Sequence, residues 1–170
     1  MASSRRPRGE VPELGASVRS QVDILGVRVD DVTFAEMVAA VARYVQSGGA
    51  HQISTVNIEY LMTARRDAEF AEVLRHTSLN VPDSVGVLWA ARWLGHPLQE
   101  RVTGSDGIYR IAELCAQRGF RLFLLGAAPG VAERVAEILV DRYPALHVCG
   151  ALAGSPSETD EASITSTIRG

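Results

Sequence analysis

The chain has 170 residues, 46% of them hydrophobic and 22% charged, which fits one compact folded domain and excludes a wholly disordered chain. Its formal net charge of −3 lacks the basic excess with which a general nucleic-acid binder holds phosphates, so no nucleic-acid partner is expected. The two cysteines, Cys115 and Cys149, make neither a disulfide framework nor a metal cluster.

Residues 1–20 (MASSRRPRGEVPELGASVRS) are rich in Arg, Ser, Pro and Gly and have no apolar h-region. They read as a disordered leader rather than a secretory signal, with 21–170 forming one α/β domain. The run 22–29 (VDILGVRV) is broken by Gly26 and predicts a small hairpin or edge strand. Thr33 and Glu36 match a capping box opening a helix that buries Met37, Val38, Val41 and Val45 and ends at Gly48-Gly49.

Residues 51–55 predict a strand, after which helical spacing resumes at Tyr60, Leu61 and Ala64. It recurs at Phe70, Val73 and Leu74, with Asp67 as a cap. The segment 78–107 (SLNVPDSVGVLWAARWLGHPLQERVTGSDG) organises the chain. It reads as a strand through Leu79 and Val81, a break at Pro82, an acid at Asp83, a helix carrying Val85, Leu88, Trp89 and Trp93, and a second extended run ending in Arg101-Val102-Thr103-Gly104-Ser105-Asp106.

Ser105 is expected to cap a helix with Ile108, Ile111, Ala112 and Cys115 inward, closed by Gly119. Leu122 to Leu125 has the continuous apolar pattern of a strand covered on both faces. Gly126 to Gly130 turns into a helix with Val131, Val135, Ile138 and Leu139 inward. Residues 146–149 predict a further buried strand, and Ser157 is expected to cap a last helix reaching Ile168. Both cysteines fall in apolar segments and read as buried reduced thiols, which fits a reducing cytoplasm. No run is long and apolar enough to span a bilayer.

Strands alternating with amphipathic helices predict a Rossmann-like α/β fold, a mostly parallel sheet with flanking helices. Each cluster of polar and glycine residues falls after a strand and before a helix: Thr55/Asn57, Asp83, Arg101/Thr103/Gly104/Asp106, Gly126/Gly130 and Gly150/Gly154. That is the edge at which open α/β sheets bind ligands.

The residues leave alternatives open. Asp83 is either a helix cap, the reading its position favours, or a general base at a strand end. Arg101 either pairs with Glu100 or a neighbouring acid, or holds a phosphate or carboxylate through its planar fork of donors. Thr55 and Asn57 suit an Asx-type turn or contacts to sugar hydroxyls. The turn from Gly126 to Gly130 is neither GxGxxG nor a P-loop; a tight turn explains it better than a phosphate site.

Trp89 and Trp93, four apart, read as core rather than as a sugar platform. His51, His76, His96 and His147 lack metal-ligand spacing and read as surface residues. Ser54, Ser84 and Ser105 lack nucleophile-elbow glycines. With no Asp-x-Asp to hold a divalent ion against a nucleotide diphosphate, neither metal nor other cofactor is expected.

The segments STVNIEYL, LNVPDSVGVLWAARWLG, ERVTGSDGIYRIAEL, LFLLGAAPGVAERVAEIL and YPALHVCGALAG, in this order and spacing, resemble the WecG/TagA/CpsF glycosyltransferases, glycosyltransferase family 26. The resemblance runs from about Val22 to the last residue. It implies transfer of a sugar, often N-acetylmannosamine or its uronic acid, from a UDP donor to a polyprenyl-diphosphate-linked saccharide. The products would enter wall teichoic acid, enterobacterial common antigen or exopolysaccharide.

The resemblance further implies a cytoplasmic location with peripheral contact at the inner membrane face. It makes Asp83 the general base of an inverting displacement, puts Thr55 and Asn57 in the sugar pocket, and gives Arg101 to Gly104 to the donor side, with Arg101 stabilising charge on leaving UDP. Two departures are visible. Ser84 stands where the family usually has Gly, and the family pattern continues past residue 170, so the chain reads as a C-terminally incomplete member. The alternative is therefore a catalytically inactive remnant acting as a binding module. An unrelated Rossmann-like nucleotide enzyme is disfavoured by the missing dinucleotide fingerprint. An uncovered apolar sheet edge predicts homo-oligomers.

Overall fold

The computed structural model describes residues 20–154 and 164–168. The expected leader lies outside the described residues but for Ser20, as does Ser157 ahead of a helical turn at 164–168.

Strands β1 (Gln21–Ile24) and β2 (Val27–Asp30) form the predicted hairpin. Leu25 and Gly26 both have positive φ, 56° and 85°, as the tight hairpin turns that match strand twist require. Asp23 accepts the Gly26 amide at 2.8 Å. Helix α1 (Phe34–Ser47) opens with the predicted capping box: Glu36 N donates to Thr33 Oγ1 at 3.3 Å, and Thr33 N to Glu36 Oε2 at 2.8 Å. Met37 and Ala40 are buried, whereas Val45, expected inward, is exposed near the end of the helix.

Strand β3 (Ile53–Val56) pairs in parallel with β4 (Leu79–Pro82), in register from Ile53↔Leu79 to Val56↔Pro82. Between them run α2 (Ile58–Ala64), capped by Asn57, and α3 (Ala68–His76), capped by Asp67 as predicted. Helices α4 (Val85–Trp93) and α5 (Gly104–Arg118), strand β5 (Arg121–Leu125), helix α6 (Val131–Arg142) and strand β6 (His147–Leu152) follow, with β5 and β6 again parallel.

Parallel strand pairs flanked by helices make the chain a Rossmann-like α/β protein, as predicted. The strand ladder comes as three two-stranded pieces, because the second edge of β4 is satisfied by other groups. Asp30 Oδ2 accepts the amide of Asn80 at 2.7 Å, and the Pro82 carbonyl accepts the amide of Val102 at 2.8 Å. The segment before Arg101, expected to be extended strand, is irregular: the Gln99 amide bonds to the Asp31 carboxylate at 2.8 Å instead of a neighbouring strand.

The core around the hairpin gathers Val22, Ile24, Val27 and Val29 with Val56, Leu61, Leu74, Val87 and Ala91. Helix α4 thus buries its small residues. Trp89 and Trp93, expected in the core, are 74% and 94% exposed. Val87 and Ala91 lie on the opposite face of the helix, where a short side chain permits close approach to the hairpin.

A separate cluster joins Ala112 and Cys115 of α5, Leu124 of β5 and Ala132 and Leu139 of α6. Here too the burial is less complete than expected. Leu125, Val131 and Ile138 are exposed, because the helices cover only part of the two-stranded β5–β6 piece. Cys115 is buried as expected, but Cys149 is exposed; the register shifts at Leu122/Phe123, so that Phe123 pairs with Gly150 and Cys149 is passed over. All four histidines are exposed. Among the described residues no helix is long and apolar enough to cross a membrane.

Candidate active site

Because β3 and β4 run in parallel and in register, both end at the same sheet edge, and the residues that follow them emerge side by side. The Asp83 amide donates to the Val56 carbonyl at 2.8 Å, holding the acid beside the end of β3. The bond from Val102 to Pro82 draws the chain ahead of α5 to the same place. The Gly104 amide then lies 3.4 Å from Asp83 Oδ2. A Cβ at Gly104 would stand 3.4 Å from Thr55 Cγ2, 3.6 Å from Thr55 Oγ1 and 3.9 Å from Asp83 Oδ2. Thr55, Asp83 and Gly104 therefore meet at one point, although they come from three separate stretches of sequence.

The two readings of Asp83 are separated by its neighbour. Ser84 caps α4, its Oγ accepting the Val87 amide at 3.4 Å, so the Asp83 carboxylate is not the cap. Both are good capping residues one position apart; the cap reading that position alone favoured for Asp83 does not hold, and the helix takes Ser84 instead. Asp83 is half-buried, with the Gly104 amide as the one hydrogen bond to its carboxylate among the described residues. A carboxylate so placed can accept a proton from a hydroxyl bound at the sheet edge.

Asn57 takes the structural role left open for it, capping α2 with Oδ1 on the Tyr60 amide at 2.9 Å. Thr103, not Ser105, caps α5. Its Oγ1 accepts the Asp106 amide at 3.2 Å and donates to Asp106 Oδ2 at 2.7 Å. The Thr103 and Asp106 side chains thus satisfy each other at the helix start. Arg101 is exposed and has no ion pair or hydrogen bond among the described residues. The pairing with Glu100 does not form, because Glu100 Oε2 accepts the Phe34 amide at 2.8 Å.

Gly126 and Gly130 follow β5, in a different two-stranded sheet from Thr55 and Asp83. Both have positive φ, 113° and 85°, and the Gly126 amide bonds to the Leu152 carbonyl at 2.9 Å. These are the needs of a tight strand-to-helix turn. Helix α5 links the two regions, starting at Gly104 and packing Ala112 and Cys115 beside Leu124.

Ile58 was missed by sequence reasoning. It follows Asn57, is exposed, and packs over Gly86, where a Cβ would stand 2.8 Å from Ile58 Cγ1. A glycine at the second position of an apolar helix is the only sequence signal for that approach. A groove of about 500 Å³ between α1 and α5, lined by Phe34, Val38, Glu100, Arg110 and Glu113, contains none of the expected site residues. Among the described residues no cluster of three His, Cys, Asp or Glu side chains stands ready to hold a metal ion.

Comparison with known proteins identifies the family. The model of the glycosyl transferase WecG/TagA/CpsF family matches residues 22–170. The chain is 31% identical over 98 residues to the N-acetylglucosaminyldiphosphoundecaprenol N-acetyl-beta-D-mannosaminyltransferase of Bacillus subtilis (strain 168), covering 58% of this chain and 38% of that protein. It is 30% identical over 127 residues to the enzyme of the same name from Staphylococcus aureus (strain NCTC 8325 / PS 47), covering 74% of this chain and 50% of the relative. The chain thus spans half or less of the curated relatives it matches. With a family match over nearly all of its described residues, the chain belongs to the WecG/TagA/CpsF family of glycosyl transferases.

Proposed function

We propose that this chain carries the sugar-transfer site of an inverting, UDP-sugar-dependent glycosyltransferase. It would move an N-acetylmannosamine-like sugar onto a polyprenyl-diphosphate-linked saccharide, in the synthesis of a cell-surface polysaccharide such as teichoic acid or exopolysaccharide. The observation that carries the reading is the meeting of Thr55, Gly104 and a non-capping Asp83 at one sheet edge. The relatives' names supply the chemistry: an N-acetylmannosaminyl group transferred to a diphosphoundecaprenol-linked acceptor.

In this reading Asp83 takes the proton of the acceptor hydroxyl as its oxygen attacks the anomeric carbon of the donor. The new C–O bond forms opposite the bond to UDP, which leaves with its electron pair. Thr55 Oγ1, without a hydrogen-bond partner among the described residues, is placed to bond a sugar hydroxyl, and Asn57 has its side-chain NH2 left over from capping. Arg101, exposed and unpaired, offers a planar cation to the diphosphate. Gly130 would serve the donor through its backbone amide, and Gly126, whose amide is held by the Leu152 carbonyl, by leaving the space of a missing side chain. The protein acts from the cytoplasmic side, peripherally at the membrane where such an acceptor is anchored, and assembles as a homo-oligomer.

Calorimetric titration with UDP and UDP-N-acetylmannosamine, followed by a transfer assay on a lipid-linked acceptor, tests this reading. Saturable donor binding, with transfer lost in Asp83→Asn while binding persists, is the expected result. A folded chain that binds neither titrant would sink it. Donor binding without any transfer would leave the alternative of a binding module.

A further inference from the structure

Helix α4 is apolar on both sides, and only one side is covered. Val87 and Ala91 enter the core, whereas Val85, Trp89 and Trp93, at i, i+4 and i+8, are 50%, 74% and 94% exposed. These three share one face of the helix, and over nine residues the stripe extends about 12 Å. Ile58, seated over Gly86, continues it toward the candidate site. The stripe therefore begins near Asn57, which directly precedes Ile58, and Asp83, two residues before Val85, and runs outward to Trp93.

Along α4 the charge is as one-sided as the polarity, whereas Glu59 follows Ile58 on α2. Between positions 84 and 99 the ionisable side chains are Arg92 and His96, with no acid, in a chain that carries 20. Arg92 is exposed between the two tryptophans. Exposed tryptophan next to a cation is the pairing that settles at a membrane–water interface, where the ring body is apolar and the indole N–H wet. A protein partner would need a shaped pocket for a side chain as protruding as Trp93; a fluid headgroup region does not.

We propose that the Ile58–Val85–Trp89–Trp93 stripe docks this protein onto an anionic bilayer surface, with Arg92 among the lipid phosphates, so that Asp83 faces the interface. The proposal rests on the transferase reading in one respect: a lipid-linked acceptor presents its hydroxyl at that interface.

Trp89 and Trp93 are the only two tryptophans in the chain, so emission excited selectively from tryptophan reports on this surface alone. Vesicles of phosphatidylethanolamine and phosphatidylglycerol are expected to shift the emission to shorter wavelength, with quenching by lipids brominated in the upper acyl chain. Trp89→Ala and Trp93→Ala should each lower vesicle partition, measured by sedimentation, at least roughly tenfold without changing UDP binding. Arg92→Glu should weaken partition into anionic vesicles more than into neutral ones. No shift with vesicles would overturn the proposal. So would a shift that appears without lipid and grows with protein concentration, since the stripe would then bind a second copy. Vesicle partition in a chain that fails to bind UDP would sink the transferase reading while leaving the docking surface standing.

Discussion

The amide of Gly104 points at Oδ2 of Asp83 across 3.4 Å, joining the first residue of α5 to the residue that follows β4, 21 positions earlier in the chain. The bond requires the backbone of position 104 to come close to both Asp83 and Thr55, and a glycine allows that approach while leaving space between them.

Filling that space should separate activity from stability. In Gly104→Ala the new methyl meets Thr55 at ordinary contact distance, 3.4 Å from Cγ2, and alanine is the better helix former. Thermal unfolding is expected at an unchanged or slightly higher midpoint, while kcat/KM for sugar transfer falls on the order of tenfold or more. A variant with wild-type transfer would show that nothing needs the gap.

Truncating Asp83 and Ser84 should have opposite consequences for activity and stability. Ser84 caps α4, so Ser84→Ala is expected to cost about 1 kcal/mol in denaturant unfolding. Asp83→Ala, which removes no cap, should stay within about 0.5 kcal/mol of the parent and lower transfer about 10²- to 10⁴-fold. Equal destabilisation by both would return Asp83 to a capping role.

Asp30 is predicted to be the costliest polar residue to remove. It is 6% exposed, accepts the Asn80 amide at 2.7 Å, and pairs with Arg28 Nε at 3.4 Å. Asp30→Ala strands both the buried amide and the guanidinium, which itself bonds to the Thr77 carbonyl at 2.8 Å. Urea unfolding should report a loss of about 2–4 kcal/mol. Because Asn80 lies on the strand that leads to Asp83, three residues before it, transfer should fall with it, and a fully stable variant would refute the clamp.

The two thiols should react in sequence. Cys149 is exposed, its Sγ donating to the Leu122 carbonyl at 3.4 Å, and should label with a disulfide reagent in the native state. Burial pushes the Cys115 thiol above its ordinary 9.0, so it should label only on unfolding. The sign for stability follows: with the folded value raised, the unfolded chain ionises first. The contribution of Cys115 is thus complete below pH 9.0 and declines as pH rises from there through the folded value. Equal labelling rates in native buffer would contradict the burial.

Local chemistry was legible in the sequence. The Thr33–Glu36 box, the Asp67 cap, the turn at Gly26 and the closure at Gly119 each involve partners a few residues apart, so spacing alone suffices to read them. The order of strands and helices, and hence the sheet edge at which Thr55, Asp83 and Gly104 would gather, follows from the alternation of hydrophobic periods. The motifs of the chain likewise carry its family, whose model matches residues 22–170.

What the tertiary structure decided were choices between equivalent local solutions. Asp83 and Ser84 are both capable caps, and only the bond from the Asp83 amide to the Val56 carbonyl and the approach of Gly104 leave the helix to Ser84. Thr103 and Ser105 posed the same choice at α5, resolved when Val102 was drawn onto Pro82. Helix α4 shows the limit most plainly. With Val85, Trp89 and Trp93 on one face and Val87 and Ala91 on the other, its periodicity has no preferred direction, and size decides. The hairpin comes close enough to admit valine and alanine but not indole, so the largest apolar side chains of the chain face outward.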